Sequence, residues 1–482
     1  MTKRTRSILF IVIAICFFIA APLTIFYSLG WRIDWKAKRL IKVGLFYFQV
    51  LPRNVEIYLN GKLEKKTNFF FNAASIENLL PERYDIEIKK EGFHSWKKSL
   101  EIKEKQVTEA KNILLVPQNP NFKTLATGIK DFYFSPDGKK IVFKEEVASE
   151  SENQNIAASQ RTGESWSLQL FELKNNVKSR LIGEKDISRG EGKNELVNLK
   201  FSPDSKRLLL EIAVGEQLKY YVLETEENPP VLINLDFLKT SFNFNEIYFN
   251  PRNPDKLIFL DEDKLKEADL VKKEATLSAI KEAITFSVIN NDVYYLNNSG
   301  FVLKTDLSFS SPEKLNTLPF SVKNETEYKI GGSNSHIILK EENALYIFDK
   351  NKKVFEKLSD SVKNFAFSPD SKKLAYSNDY ETWVLFLDRN QEQPQREKGD
   401  KVFLTRFSEK IDDVFWWTNY YLILNEKDKI KIVEIDDRDK TNIAELASFP
   451  SLSKIFWNKD EKKVYVLDKN ILYVSDRLIP LY

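Results

Sequence analysis

The residues that most often carry out chemistry in proteins are scarce in this sequence. It contains two histidines, His94 and His336, which lie far apart in the chain. Histidine is the commonest metal ligand and general base, so a His-rich metal site or a pair of catalytic imidazoles is excluded. Cys16 is the single cysteine, which excludes a disulfide within one chain. The sequence therefore predicts no metal site and no cofactor.

Aspartates recur in a phrase that could also hold a carboxylate site. Asp137, Asp204 and Asp370 each follow Ser-Pro and precede Gly or Ser and a basic residue. Proline presets φ for the first corner of a turn and the Asp carboxylate accepts bonds from backbone amides, so the phrase predicts a tight turn. Two acidic clusters, 261–263 and 436–439, lack the EF-hand spacing with its central glycine and predict solvated loop tips.

No nucleophile stands out. A nucleophile needs a base within hydrogen-bond reach, and neither histidine has a context that suggests one. The G-x-S-x-G elbow of the hydrolases does not occur in the sequence. We therefore assign no catalytic residue and expect a protein that is not an enzyme. The alternative is an enzyme whose carboxylates converge only in the fold.

Aromatic residues are plentiful, at 13% of the chain. The cluster Trp416, Trp417, Tyr420 and Tyr421 is the candidate binding surface, because aromatic faces combine apolar area with a low entropy cost. Neighbours on a strand point to opposite faces, so packing between layers is the favoured interpretation. Stacking on a glycan or a peptide is the alternative.

The charge and the composition of the chain argue against some classes of ligand. The 73 basic and 70 acidic residues nearly cancel and are interleaved, which argues against a nucleic-acid partner. Glycine occurs 15 times, which argues against phosphate-binding loops. A chain of 482 residues with 42% hydrophobic residues is long enough for several domains with large cores.

The uncharged apolar run 8–28 predicts a transmembrane helix, because 21 residues at 1.5 Å each span the roughly 30 Å of a bilayer core. A cleaved signal peptide is the alternative, and Pro22 after the small residues opposes it. We expect residues 1–7 in the cytoplasm, 29–43 as a juxtamembrane segment and the bulk of the chain outside, since short basic N-termini normally stay inside. The lipid bilayer is thus one expected partner.

Residues 44–103 show the alternation of a small β-sandwich. Val55, Ile57 and Leu59 share one face and lead into Asn60-Gly61, a strong signal for a hairpin. Four features occur in order: GLFYFQVLP from Gly44, VEIYLNG from Val55, Leu79-Leu80-Pro81 with Tyr84, and Gly92-Phe93 with Trp96. This segment resembles a PEGA domain. The resemblance implies a bacterial surface or envelope module without catalysis. Residues 104–118 are predicted to form a linker to the next domain.

The C-terminal region, 119–482, is built from repeats. The phrase Phe-Ser-Pro-Asp occurs at residues 134, 201 and 367, each time followed by two basic residues and an apolar strand. Inner strands are predicted to begin near residues 132, 198, 247, 286, 328, 365, 414 and 455, mostly at the 40 to 50 residues of a four-stranded propeller blade. The phrase resembles the blades of TolB-type and WD-repeat-like propellers.

The repeats predict an all-β chain in which one transmembrane helix and a PEGA-like sandwich precede a propeller of seven or eight blades. Phe122 to Leu125 could supply the outer strand of the last blade. Residues 144–165 and 183–195 are predicted surface insertions, and 264–283 is either one helix or, as blade spacing favours, two strands. Function is expected to be non-catalytic binding of an envelope protein or polysaccharide at the cell surface, and a cell-wall or glycan-binding propeller is an alternative.

Overall fold

The computed structural model describes residues 3–34, 38–68, 70–147, 165–187, 194–238, 246–276 and 280–480. Most of the predicted insertion 144–165 and residues 188–193 of the predicted insertion 183–195 lie outside these residues. The described chain is mostly strand, with one long apolar helix at its start, which confirms the predicted fold class.

Helix α1 (Lys3–Ser28) carries the apolar run. Within Arg4–Ser28, the most apolar 18-residue stretch has a mean hydropathy of 2.9, and none of that stretch is buried against the rest of the protein. A membrane span and a signal sequence both have this length and composition. Two residues after the helix, a short hairpin forms from β1 (Trp31–Asp34) and β2 (Arg39–Lys42).

Two sheets follow and enclose one apolar core. The four-stranded sheet has the order β5-β4-β7-β8 and the three-stranded sheet the order β6-β3-β9. Their strands are β3 (Gly44–Leu51), β4 (Glu56–Leu59), β5 (Lys62–Lys66), β6 (Ala73–Leu79), β7 (Arg83–Lys89), β8 (Trp96–Glu101) and β9 (Val107–Leu114). Alternate residues of β3 are buried, as a strand with one face on a core requires.

The structure corrects the prediction of a linker over 104–118, because this segment contains a strand of the sandwich. Its residues form β9, which pairs in parallel with β3 from Leu45 with Val107 to Leu51 with Leu114. Ala110 and Ile113 are buried in the sandwich core. The seventh strand was missed because its burial is irregular along the chain, so it lacks the strict alternation that marks a strand in sequence.

Eight four-stranded antiparallel sheets make up the rest of the described chain. In blades 1 to 4 the strands are β11 (Ile129–Phe134), β12 (Lys140–Val147), β13 (Ser165–Glu172) and β14 (Val177–Gly183); β15 (Asn194–Phe201), β16 (Arg207–Val214), β17 (Gln217–Glu224) and β18 (Val231–Asn234); β19 (Ile247–Asn250), β20 (Asn253–Asp261), β21 (Lys264–Asp269) and β22 (Glu274–Ala275); β23 (Ala283–Ile289), β24 (Asp292–Asn297), β25 (Val302–Asp306) and β26 (Glu313–Lys314). Short helical turns lie at α2 (Glu184–Ile187) and at Asp236–Leu238.

Blades 5 to 7 continue in the same order, and blade 8 is shared between the two ends of the propeller. Their strands are β27 (Tyr328–Gly332), β28 (Ile337–Glu341), β29 (Ala344–Asp349) and β30 (Val354–Ser359); β31 (Asn364–Phe367), β32 (Lys373–Ser377), β33 (Glu381–Phe386) and β34 (Lys401–Arg406); β35 (Ile411–Trp416), β36 (Tyr421–Glu426), β37 (Lys429–Glu434) and β38 (Ile443–Ser448); β39 (Leu452–Asn458), β40 (Lys463–Asp468) and β41 (Ile471–Ser475) with β10 (Phe122–Thr127).

The ring closes as the sequence predicts, because β10 pairs with β41 and completes blade 8. Eight apolar clusters lie one between each pair of neighbouring blades, including the pair formed by blades 8 and 1. The number of blades is therefore eight. Residues 264–276 form β21 and β22, which confirms two strands in place of a helix.

Candidate functional site

The Ser-Pro-Asp phrases are turns, as predicted. In each, the serine hydroxyl donates to the Asp Oδ1 and accepts the backbone amide of the residue five positions after the serine; the bonds are those of Ser135, Ser202 and Ser368. The Asp Oδ1 also accepts a backbone amide two residues on, at 3.1 to 3.2 Å. Each carboxylate is thus committed to its own turn.

The same turns connect neighbouring blades. Asn458 of blade 8 donates to the carbonyl of Gly138 in blade 1 at 2.9 Å. Arg207 of blade 2 pairs with Asp255 of blade 3 at 2.6 Å. The amide of Asp370 in blade 6 donates to Asn419 of blade 7 at 3.1 Å. One face of the propeller, where the inner strands end, is therefore held together by polar contacts.

The sandwich docks on this face, at blade 7. Lys98 of β8 lies with its Nζ 3.2 Å from Oε2 of Glu434, and both side chains are buried. Trp96 donates its Nε1 to the other carboxylate oxygen at 2.8 Å. Asn442 donates to Oε2 at 2.8 Å. Burial raises the pKa of Glu434, and the charge of Lys98 acts in the opposite direction.

The acidic cluster 436–439 contacts the sandwich at this junction. The prediction of a solvated loop tip is therefore corrected for this cluster. Nζ of Lys98 donates to the carbonyls of Asp436, Arg438 and Lys440 at 2.7 to 3.1 Å. Oδ2 of Asp439 accepts the backbone amide of Ser99 at 2.9 Å. These carbonyls fold around the lysine because a buried ammonium needs several acceptors.

The predicted aromatic surface is also at this junction, and three of its four members are buried. Trp416 packs between blades 6 and 7 and donates to the carbonyl of Ala366. Trp417 packs edge to face on Tyr421 and on Trp457. The hydroxyl of Tyr421 accepts the backbone amide of Leu114 in β9 at 3.0 Å.

Tyr420 is half-buried, and its hydroxyl donates to Glu392 at 2.7 Å. Trp416, Trp417 and Tyr421 are 3 to 6% exposed, so they offer no open face on which a sugar could stack. The prediction of packing thus fits these residues, and the prediction of an exposed binding surface does not.

The two histidines lie in separate parts of the fold. His94 is at the junction, where its Nε2 is 3.1 Å from the carbonyl of Glu445. His336 is buried, with Nδ1 2.8 Å from the hydroxyl of Ser335 and Nε2 3.9 Å from Oδ1 of Asp388. Burial lowers the pKa of His336, and the charge of Asp388 acts in the opposite direction. Among the described residues no group of three or more His, Cys, Asp or Glu side chains could hold a metal ion.

A cavity of about 470 Å³ lies on the inner wall of the propeller. The inner strands of blades 2 to 6 provide its lining, which includes Lys200, Glu246, Tyr248, Thr285, Lys329 and Phe365. Glu327 and Lys329 are exposed at its mouth and pair with each other at 2.8 Å. Sequence analysis missed this site, because its members come from five separate blades and share no motif.

Charged groups within the cavity are partly desolvated. Burial lowers the pKa of Lys200 to about 8, against the attraction of Glu211. Its Nζ lies 5.2 Å from the ring centre of Tyr248, within cation–π range. Burial also raises the pKa of Glu246, and a hydrogen bond from Thr285 acts in the opposite direction. The cavity thus combines aromatic faces with one partly desolvated cation and one carboxyl group.

The exposed groups of the cavity and the sandwich lie at opposite ends of the inner strands. Glu327 precedes β27 and Thr285 is near the start of β23, whereas Lys200 is next to the last residue of β15, so the cavity extends along the inner wall from the end where the inner strands begin. The sandwich contacts Tyr421, which follows the end of the inner strand β35. Since every blade starts with its innermost strand, the face with the cavity points away from the sandwich.

No protein-family model matches the chain, and no curated protein matches it. Among solved structures it is similar to a eukaryotic initiation factor, with 14% identity over 73% of this chain and 86% of the other and a TM-score of 0.46. It is also similar to Hsv2 of Kluyveromyces lactis, with 10% identity, 66% and 98% coverage and a TM-score of 0.36. The propeller assignment rests on the eight sheets and their closure.

Proposed function

We propose that this chain is a single-pass membrane protein of the bacterial cell surface whose propeller binds an envelope protein without catalysis. The opposed placement of the sandwich and the cavity carries the proposal. The sandwich occupies the face of the propeller where the inner strands end, and the cavity opens on the other face. A ligand that approaches from outside therefore meets the cavity, while the sandwich faces the anchor.

The length and the attachment of the sandwich support a role as a spacer. Strand β3 begins two residues after the membrane-proximal hairpin and ends at Leu51, beside the propeller. Eight residues at about 3.3 Å each make this strand about 26 Å long. The buried contacts of Lys98 and Tyr421 fix the propeller on this spacer. Preorganised display of this kind lowers the entropy cost of binding.

We also propose a domain family for the sandwich and one for the propeller. The PEGA-like motif order, from Gly44 to Trp96, supports a bacterial envelope module for the sandwich. The Ser-Pro-Asp turns support a TolB-type propeller. Retention of α1 and an external position for the bulk of the chain follow from its basic N-terminus and the long apolar run.

Recovery of a partner from native membranes tests the binding role. We expect the tagged full-length chain, extracted in mild detergent, to carry a stoichiometric protein partner. Lys329→Glu places a second negative charge beside Glu327 at the cavity mouth, and we expect it to lose that partner. Lys352→Glu is the matched control, because Lys352 is exposed on an outer turn of the same blade.

Equal recovery by the two variants, or no stoichiometric partner for the unmodified chain, would contradict binding at the cavity. Protease treatment of intact cells tests the location. We expect the propeller to be digested together with a known surface marker. Its survival under those conditions would place it inside the cell.

The glycan-binding alternative lacks support at the aromatic cluster, because Trp416, Trp417 and Tyr421 are buried. An enzyme remains the alternative to binding, and one observation favours it: Lys200 and Glu246 line one cavity and both have shifted pKa values. We favour binding because burial is the largest cause of both shifts.

A further inference from the structure

The hairpin β1–β2 has two different faces. Trp31 lies opposite Lys42 in the register, and Ile33 lies opposite Leu40, so these four side chains share one face. Ile33 and Leu40 are 48% and 58% exposed. Two aliphatic side chains in direct cross-strand contact are thus uncovered by the rest of the described protein.

The opposite face is attached to the protein, and Arg32 makes the connection. Its guanidinium lies 3.5 Å from the ring centre of Tyr27 near the end of α1, and its Nη1 donates to the Tyr27 carbonyl at 2.8 Å. Its Nη2 donates to Oδ1 of Asn78 in the sandwich at 2.6 Å. One side chain therefore connects the helix end, the hairpin and the sandwich.

The uncovered face is continuous with the apolar surface of the helix. Phe26, on the last turns of α1, packs edge to face on Trp31 with ring centres 6.4 Å apart. Leu29, between the helix and the hairpin, is 59% exposed. The surface that would face lipid thus extends from Phe26 of the helix through Leu29 onto Trp31, Ile33 and Leu40.

Basic side chains border this face. Lys38 is exposed beside Leu40, and Nζ of Lys42 lies 5.2 Å from the ring centre of Trp31. An aromatic ring with aliphatic neighbours and basic side chains is the composition of a surface that lies in the headgroup region of a bilayer.

We propose that the hairpin lies in the membrane interface, with Trp31, Ile33 and Leu40 inserted and with Lys38 and Lys42 bound to the phosphates of anionic lipids. The inference rests on the membrane anchoring proposed above. Because Arg32 holds the hairpin to both the helix and Asn78, the lipid contact would fix the direction in which the sandwich leaves the membrane. The lipid thereby sets the position of the propeller.

Spin-label accessibility in lipid discs tests the insertion. Cys16→Ser with Leu40→Cys provides one labelling site on the full-length chain, and Cys16→Ser with Val271→Cys provides the control. Val271 is also an exposed aliphatic residue, 73% exposed at the edge of blade 3. In discs of phosphatidylcholine and phosphatidylglycerol, we expect the label at 40 to be accessible to dissolved oxygen. We expect it to be much less accessible than the label at 271 to a water-soluble nickel chelate. A label at 40 that meets the chelate as readily as the label at 271 would overturn the proposal.

The phosphate contact is tested in the same background with Lys38→Glu and Lys42→Glu together. We expect this pair to restore chelate access at residue 40 in the anionic discs. Lys62→Glu with Lys65→Glu makes the same change of charge on exposed β5 and should restore nothing. Equal effects of the two pairs would overturn the phosphate contact.

Intact mass separates a failure of the anchor from a failure of the hairpin. A purified chain that begins beyond residue 28 and does not enter discs would overturn the anchor and the hairpin proposal together. A chain that retains α1 in the disc but exposes Leu40 to water would overturn the hairpin proposal alone.

Discussion

Lys98 of the sandwich and Glu434 of blade 7 form an ion pair in which neither side chain has appreciable contact with water. The lysine also donates to three backbone carbonyls of the loop after β37, and the carboxylate accepts bonds from Trp96 and Asn442. All of these groups come from the two domains that meet at this surface. The pair therefore makes the docking of the sandwich specific in position.

Lys98→Met should destabilise the protein by about 3–5 kcal/mol, because it leaves Glu434 buried without its countercharge and three carbonyls without their donor. The midpoint of urea unfolding of the full-length chain measures this. Lys97→Met is the control, since Lys97 pairs with Glu87 at the surface and should cost less than about 1 kcal/mol. Equal midpoints would mean that the buried pair is dispensable for stability.

Gly300→Ala should destabilise blade 4 by about 2–4 kcal/mol. Gly300 has φ of +80°, and a Cβ there would lie 2.0 Å from the carbonyl oxygen of Phe320. The hydrogen bond from the Phe320 amide to Gly300 would have to move. Gly128→Ala has a similar φ of +75° and open space, so it should cost only about 1 kcal/mol. Thermal unfolding distinguishes crowding from φ strain, and similar losses would rule out the crowding.

Stability should rise with pH between about 8 and 10 through Lys200. Its pKa is about 8 in the folded chain, against a reference value of 10.5. The unfolded chain therefore holds more protons in this window, and the free energy of unfolding increases by up to about 3 kcal/mol across it. Above this window the tyrosines with raised pKa values act in the opposite direction.

Lys200→Met should remove the part of this rise that Lys200 contributes and stabilise the protein near neutral pH, as urea midpoints at a series of pH values would show. Burial also lowers the pKa of Lys340 and of Lys373, so some rise should remain. Lys206→Met is the control, because a hydrogen bond to Glu226 raises the pKa of Lys206; the rise should remain in this variant. A rise that survives undiminished in Lys200→Met would assign it to other groups.

Ser202→Ala should cost about 1–2 kcal/mol, because the half-buried amide of Arg207 loses the buried hydroxyl that it donates to in the turn. Adding Asp204→Ala should cost less than the sum of the single changes, since the two side chains share one hydrogen bond. Ser308→Ala, on an exposed turn, should leave the unfolding midpoint unchanged. Additive losses at Ser202 and Asp204 would contradict the shared network.

Much of the fold could be predicted because its signals are local. In Ser-Pro-Asp-Ser, the serine, the aspartate and the amides that they bind lie within six residues, so the turn follows from neighbours in the chain. Repetition of that turn at blade spacing then predicted the propeller, and Phe122 to Leu125 were correctly assigned to its closure. Strand β9 was missed, because it is defined by parallel pairing with a strand about 60 residues earlier.

The sequence by itself thus determined the helix, most of the strands and the Ser-Pro-Asp turns. Only the tertiary structure decided what the aromatic cluster, the acidic cluster 436–439 and Lys200 do. Their roles depend on which surfaces meet: Trp417 packs between blades 7 and 8, Asp439 receives an amide of the sandwich, and Lys200 is desolvated by a cavity wall drawn from five blades. Desolvation and pairing between distant segments are properties of the assembled surfaces, so no local pattern specifies them.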